Sequence, residues 1–349
     1  LAAQTNISLI NRLEKIFSAN FSALPKKILI ALSGGIDSLC LSLALQESLA
    51  KYGIELHNVT INHNLRSNSA TEALTLNKLM LKLGFKHKII DWQHQKEIAN
   101  NIENKARIAR YNLLKSYATE HNIKMIVTGH HLDDQVETFF MRLIRGSGID
   151  GLAAMNMVTK LDNNLILFRP FLEISKSELK SYLIAKKQSW FEDETNKDSK
   201  FLRNKIRKFL YQIEDKQLLD NRIKQTTSHL KRAKDFLESY SEEKLLEISN
   251  ITNIAIDVNY NKFITLHEEI ALRILVKIFI KLNNNLDDKF IYADKKYIYK
   301  PRFNNLYQLY NRIINLEQKK QHRMTFAHSI ITIKDNNINF SKEKKPKRQ

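Results

Sequence analysis

Short runs of apolar and β-branched residues alternate, through the first half of the chain, with longer stretches whose apolar positions recur every three or four residues. The runs at 27–32, 55–61, 87–91, 125–128 and 165–168 read as strands, each followed by a helical pattern or a loop. This alternation is the signature of a parallel sheet covered by helices, so the pattern predicts an α/β, Rossmann-like sheet with helices on both faces over residues 1–212. Ligands of such sheets sit beyond the carboxyl ends of the strands, which gives motifs that directly follow a strand the most weight.

After residue 212 the pattern changes. Long helical periodicity at 217–247 and 266–282, with short strand signals near 254–257 and 329–333, predicts a mainly helical second domain over 213–340. Residues 341–349 read as a disordered basic tail, and no internal repeat is visible. Two domains suit 349 residues, at about 100 to 200 residues per domain.

Composition adds a partner. Lys and Arg number 56 against 37 Asp and Glu, a formal charge of +19, which favours a polyanion such as nucleic acid. Arg222, Lys224, Lys231, Arg232 and Lys234 cluster on the helices of the second domain; a solvated charged face is the ordinary reading of one such run, and the global excess is what shifts it. A single cysteine, Cys40, excludes an internal disulfide, a Cys-cluster zinc site and any chemistry needing two thiols. The most apolar stretch, 270–280, carries Arg273 and Lys277, and the N-terminus lacks a signal-peptide pattern, so the expectation is a soluble cytoplasmic protein without membrane partners. A homodimer is compatible with the sequence.

The first chemical motif is Ser33, Gly34, Gly35, Ile36, Asp37 and Ser38, between an apolar strand and an apolar helix pattern. Paired glycines let backbone N–H groups approach phosphate oxygens while the new helix points its positive end at them. Ser33 and Ser38 can add hydroxyls, and Asp37 can hold a Mg2+ that bridges phosphates. A bare Ser-Gly-Gly is as often an ordinary serine-capped turn, and the hexad lacks the Gly-Lys-Ser/Thr ending of a Walker loop.

Four further segments bear on the acceptor. Asn62 to Arg66 closes the second strand and brings His63 and Arg66 to the strand-end crevice. Glu103, Arg107 and Arg110 share one helical stripe, which a solvated ion-pair face also explains. Gly129 to Thr138 reads GHHLDDQVET, with Asp133, Asp134 and Glu137 clustered on one face of a new helix. Helix-dipole capping explains one carboxylate there; the cluster suits a metal, an amine-bearing substrate or removal of a proton from that amine. Last, Arg145 to Leu152 concentrates Gly146, Gly148 and Gly151, as in a loop whose backbone closely approaches another molecule.

The hexad resembles the SGGxDS loop of PP-loop ATP pyrophosphatases. With NHNLR, Glu103/Arg107/Arg110/Tyr111, GHHLDDQVET, RGSGIDGL, Arg169-Pro170-Phe171-Leu172, Asp193 to Asn196 and Arg203 to Arg207, the chain resembles the tRNA(Ile)-lysidine synthetases over about residues 26–210. The resemblance implies a ligase that joins L-lysine to carbon 2 of the wobble cytidine of a tRNA(Ile) with a CAU anticodon, through an adenylated cytidine. The substrates it implies are ATP, lysine and that tRNA, with Mg2+ as the metal. Ser33, Gly34, Gly35, Ile36, Asp37 and Ser38 would then bind ATP, with Asp37 on Mg2+, Arg110 and Arg107 would offset charge on pyrophosphate, and His63 and Arg66 would border the nucleotide. Asp133, Asp134 and Glu137 would receive the ammonium groups of lysine and help deprotonate its amine. The chain is too short for the family's longest forms, and Phe171 and Thr195 stand where relatives often differ.

Thiolases that share the loop need a cysteine pair or an iron–sulfur cluster, which one cysteine cannot supply. Glutamine-dependent siblings need a further glutaminase, for which the residues before the first strand leave no room. The remaining alternatives are another PP-loop tRNA-modifying enzyme, or a non-catalytic RNA-binding protein on the same fold.

Overall fold

A computed structural model describes residues 2–65, 68–93, 102–162, 164–191, 202–284, 301–316 and 320–343. Arg66 and the stretch 193–196 lie outside the described residues, as does the side chain of Glu103. The chain divides into two compact units, Leu1–Lys231 and Arg232–Gln349.

The first unit runs α1 (Ala2–Asn20), β1 (Lys27–Ala31), α2 (Ile36–Leu49), β2 (Glu55–Asn62), α3 (Ser69–Lys82), β3 (Lys86–Asp91) and α4 (Ile102–Glu120). It continues through β4 (Met125–Val127), α5 (Leu132–Ile144), α6 (Ile149–Leu152), β5 (Val158–Lys160), β6 (Ile166–Phe168), α7 (Lys176–Ala185), α8 (Leu202–Tyr211) and the start of α9 (Lys216–Ile248). The sheet order is β3-β2-β1-β4-β6-β5. Every neighbouring pair is parallel except β5 with β6. The expected strands are all present within a residue of their limits. The antiparallel edge strand β5 was not expected, because three half-exposed residues carry too little periodicity to register.

β1 sits mid-sheet, and Ile28, Leu29 and Ile30 are fully buried, as a strand covered on both faces requires. On one face Leu13 and Phe17 of α1 pack with Leu39, Leu41 and Leu45 of α2 and Leu179 and Leu183 of α7. Phe17 and Phe21 both meet Phe168 edge-on at 4.9 Å. Burying Phe17 alone is worth roughly 2 to 3 kcal/mol. On the other face Leu114 and Ala118 of α4 cover Leu29, Val59 and Ile126. Two buried polar groups on β2 are paired: Ser42 Oγ donates to Asn58 Oδ1 at 2.7 Å, and Thr60 Oγ1 lies 2.8 Å from His87 Nε2.

In the second unit the rest of α9 is followed by β7 (Ser249–Ile251), β8 (Ala255–Asn259), α10 (Tyr260–Ile264), α11 (Glu268–Asn284), α12 (Phe303–Ile314), β9 (His322–Phe326), β10 (Ser329–Lys334) and β11 (Asn337–Lys342). The helical region thus also carries a five-stranded antiparallel sheet, β7-β8-β11-β10-β9. Only β8 and β10 were expected. Ser341 and Lys342 pair with Ile330 and Ser329 in that sheet rather than opening the tail, and residues 344–349 lie outside the described residues. No helix among the described residues is long and apolar enough to cross a membrane.

Candidate active site at the switch between β1 and β4

The sheet order reverses between β1 and β4, so the loops leaving these neighbouring strands diverge to opposite sides and leave a crevice at their carboxyl ends. The hexad follows β1 and lines that crevice. Gly34 has φ +82°, and a Cβ there would lie 2.9 Å from Phe191 Cδ2 and 3.1 Å from Leu76 Cδ2, so only glycine fits. Phe191 N–H donates to the Gly34 carbonyl at 3.1 Å and pins the turn. Ser33 N–H donates to Ser38 Oγ at 3.0 Å, and the two serine hydroxyls are 3.1 Å apart, so here the serines hold the loop's shape. Gly35 caps α2 with no side-chain hydrogen bond, which leaves the first-turn N–H groups for an anion.

β4 ends against the same loop. A Cβ on Gly129 would meet Asp37 C and O at 2.8 Å and Ser38 N at 3.1 Å, so the glycine lets the third motif pack on the first. His131 is 2% exposed, with Nε2 3.4 Å from Asp37 Oδ1 and 3.5 Å from Asp134 Oδ2, and Nδ1 3.5 Å from Asp133 Oδ2. Burial opposes its charge, but the carboxylates of Asp134, Asp133 and Asp37 prevail and raise it to about 10, so it is an imidazolium at neutral pH.

Asp133, Asp134 and Glu137, expected to receive the ammonium groups of lysine, each hold a cation of this chain. Lys216 Nζ donates to Asp133 Oδ1 at 2.7 Å and also to Asp220, while Lys176 N–H donates to Asp133 Oδ2 at 2.9 Å. Arg203 Nη2 donates to Asp134 Oδ1 at 2.7 Å, and His131 N–H to Asp134 Oδ2 at 3.1 Å. Glu137, 4% exposed, takes Arg203 Nε on one oxygen and Arg207 Nε on the other. Both arginines sit one turn apart on α8, which packs on α5 through Val136, Phe139, Ile206 and Leu210. Against the cost of burial, His131, Lys216 and the Lys176 amide push Asp133 far below the usual carboxylate range. His131 and Arg203 likewise lower Asp134.

The opposite side is cationic. Arg107 and Arg110 on α4 lie 5.5 Å and 5.3 Å from the Tyr111 ring. Arg169, directly after β6, is 8% exposed; its Nη1 donates to Asn156 O at 2.8 Å and Thr159 Oγ1 at 2.9 Å. No carboxylate pairs with these three arginines among the described residues. His130, whose Nδ1 is 2.8 Å from Thr128 Oγ1, is driven by burial, then by Arg169, Arg110 and Arg107 against the pull of Asp134, down to about 3. It is neutral.

His63 follows β2, one strand away from the loop, with its ring edge-on to Trp92 at 5.9 Å. The Arg145–Leu152 segment is folded on itself: Arg142 Nη1 donates to Gly151 O at 2.6 Å and Ala154 O at 2.8 Å. Cys40 is buried, and burial, then Asp37 and Glu47, raise its thiol well above its usual value, so it is an inert core residue. Lys216, Asp220 and the placement of Arg169 were missed. Arg169 follows a strand directly and was findable; Lys216 and Asp220 carried only an i, i+4 pair.

Among the described residues no cluster of three or more side chains is arranged to hold a metal. Asp37 Oδ1 is buried, makes no hydrogen bond and has His131 Nε2 3.4 Å away, so an ion that took it as a single carboxylate ligand, with phosphate oxygens and water as the rest, would take the place of that ionic contact.

The PP-loop domain family matches residues 6–214. The tRNA(Ile)-lysidine synthase of Wolbachia pipientis wMel is 35% identical over 291 residues, covering 82% of this chain and 64% of that protein. That of the Wolbachia of Brugia malayi is 33% identical over 297 residues, covering 84% and 66%. The matched part of the chain therefore spans just under two thirds of these relatives' length. Among solved structures, the U34-tRNA thiolase NcsA of Methanococcus maripaludis superposes with a TM-score of 0.56 at 17% identity, covering 65% of this chain and 81% of that one, a likeness of fold.

Proposed function

The chain belongs to the PP-loop family, and from that premise we propose that it uses ATP to join L-lysine to carbon 2 of the wobble cytidine in a tRNA(Ile) with a CAU anticodon. The observation that carries this reading is the crevice at the β1–β4 switch, with an anion cradle at its base, acidic groups on one side and, on the other, arginines that no carboxylate among the described residues pairs. The names of the relatives supply the acceptor.

The chemistry needs both signs of charge. The cytosine O2 is a poor leaving group, so it first attacks the α-phosphorus of ATP, and the bond to the bridging oxygen breaks to release pyrophosphate. The first-turn amides of α2 hold the phosphates, and Arg107 and Arg110 offset the charge that builds on the departing pyrophosphate. Asp37 would hold Mg2+, which supplies further neutralisation of phosphate charge when bound. The ε-amine of lysine then attacks C2, and AMP departs with the oxygen.

Free lysine is mostly protonated near neutrality, since its side-chain pKa is about 10.4. Asp133 and Asp134 hold protons too weakly to act as bases, and their ionised state suits them to anchor an ammonium. Lys216 Nζ on Asp133 and Asp220 illustrates the fit, because it is chemically the head group of the substrate. The arginine-sealed Glu137 positions α8 instead. The basic second unit would bind the tRNA, in the cytoplasm.

The test is incubation of the protein with ATP, labelled lysine and the tRNA(Ile) transcript, beside a methionine tRNA control. Label retained in the first RNA only, with AMP and pyrophosphate as products, is expected. ADP as product, or label in neither RNA, would overturn the reading.

A further inference from the structure

α12 has a sharply divided surface. Leu306, Leu309, Tyr310 and Ile313 are buried in the core of the second unit. Phe303 is nonetheless 63% exposed and Tyr307 37% exposed. Their rings lie one helical turn apart, 6.0 Å between centroids and 14° from parallel, stacked on one another, so the exposed Phe303 ring ends a short aromatic stack that a further flat ring could extend. Tyr307 in turn leans on the buried Tyr310 at 6.4 Å, which ties the pair to the core and limits its rotamers. Exposed large aromatics that a core does not need signal a binding surface.

The surroundings select the partner. Residues 301–316 contain no acidic side chain; they supply Arg302 and Arg312 together with amides such as Gln308 and Asn311. Glu268, from α11, lies near Tyr310, which is buried. Flat aromatic faces interleaved with arginine and amide groups, in a chain of net charge +19, match unpaired nucleobases, whose π-faces stack without regard to sequence while phosphates meet the cations.

We propose that Phe303 and Tyr307 form a stacking platform for one or two unpaired bases of an RNA, with Arg302 and Arg312 on the adjoining phosphates. The inference rests on the RNA-modifying reading above and adds to it a contact that is stacking rather than ionic. The two kinds of contact separate by salt. Removing a cation lowers the slope of log affinity against log salt by about 1, whereas removing a stacked ring lowers affinity at every salt concentration and leaves the slope alone.

The experiment measures binding of the full chain to a tRNA(Ile) transcript, to a single-stranded RNA oligonucleotide and to a blunt RNA duplex, between low and moderate salt. Wild type is compared with Phe303→Ala, Tyr307→Ala, Phe303→Trp and Arg302→Gln. Both side chains to be truncated are solvent-exposed, and circular dichroism checks that the variants fold. Each alanine variant is expected to weaken tRNA and single-strand binding between about 5-fold and about 150-fold with an unchanged salt slope, while duplex binding stays the same. Phe303→Trp should retain affinity, and Arg302→Gln should reduce the slope. Alanine variants that bind all three RNAs like wild type, or that instead lose a concentration-dependent dimer, would overturn the platform while leaving the enzymatic reading intact. A wild-type chain that binds none of the RNAs overturns both.

Discussion

His130 and His131 are consecutive residues with opposite protonation states. Burial, then Arg169, Arg110 and Arg107, hold His130 neutral against the pull of Asp134, whereas Asp134, Asp133 and Asp37 hold the buried His131 as a cation. Both lie beyond β4, His131 as the N-cap of α5, and between these two adjacent residues the nearby charge changes sign. The pair lies between the arginines of one side of the crevice and the carboxylates of the other.

Asp37→Asn keeps the size of the side chain and removes its charge. Because Asp37 belongs to the loop that would hold triphosphate and its Oδ1 lies 3.4 Å from His131 Nε2, turnover should fall at least about 100-fold. Thermal stability should change little. Steady-state pyrophosphate release and a melting curve check this; near-wild-type turnover would remove Asp37 from the site.

Asp133→Asn should act on lysine rather than ATP. It weakens the carboxylate that Lys216 occupies, so KM for lysine should rise about 10-fold or more while KM for ATP stays within about twofold. Equal changes in both constants would count against an ammonium site there.

Arg203→Ala leaves Asp134 with one partner fewer and Glu137 with only Arg207 in a buried setting. Removing one side of a buried ionic network costs about 3 to 5 kcal/mol, and the one-third exposure of Arg203 places the expected loss toward the lower end. Urea unfolding checks it, with a charge-preserving Arg203→Lys control expected to recover only part.

Gly129→Ala places a methyl 2.8 Å from backbone atoms of Asp37, which cannot swing away as a side chain would. The end of β4 and the start of α2 must separate, so activity should fall more than stability does. Affinity for an ATP analogue, measured beside the melting temperature, distinguishes this from general unfolding.

Stability should weaken at acid pH through His87. Its ring bridges Thr60 Oγ1 and Asn77 Oδ1 at 2.8 Å each, and burial lowers its pKa from 6.5 to about 4. The unfolded chain binds this proton more readily, so the contribution is present above about 6.5 and is lost as pH falls toward 4, on the order of 2 kcal/mol after allowance for partial exposure. His131 has the opposite sign: its contribution is complete below about 6.5 and is lost as pH rises through about 10. Urea midpoints across pH 4 to 8 should show a shallower acid limb in His87→Gln.

The sequence by itself determined the parallel strands of the first unit, the phosphate loop after β1 and the acidic helix after β4. Each is written in a few adjacent residues: an apolar run, paired glycines, carboxylates in a first helical turn. It did not determine how those carboxylates are satisfied. Lys216 lies 83 residues from Asp133, and Arg203 lies 69 from Asp134 and 66 from Glu137. No periodicity links positions so far apart, and the pairings exist only because α8 and the start of α9 pack on α5. The edge strand β5 and three strands of the second sheet were hidden for the same reason, since a short strand acquires its partner from elsewhere in the chain. What local pattern encodes is where a group can bind; which charges already fill the site is settled by packing, because burying a carboxylate without a cation would cost more than folding could offset.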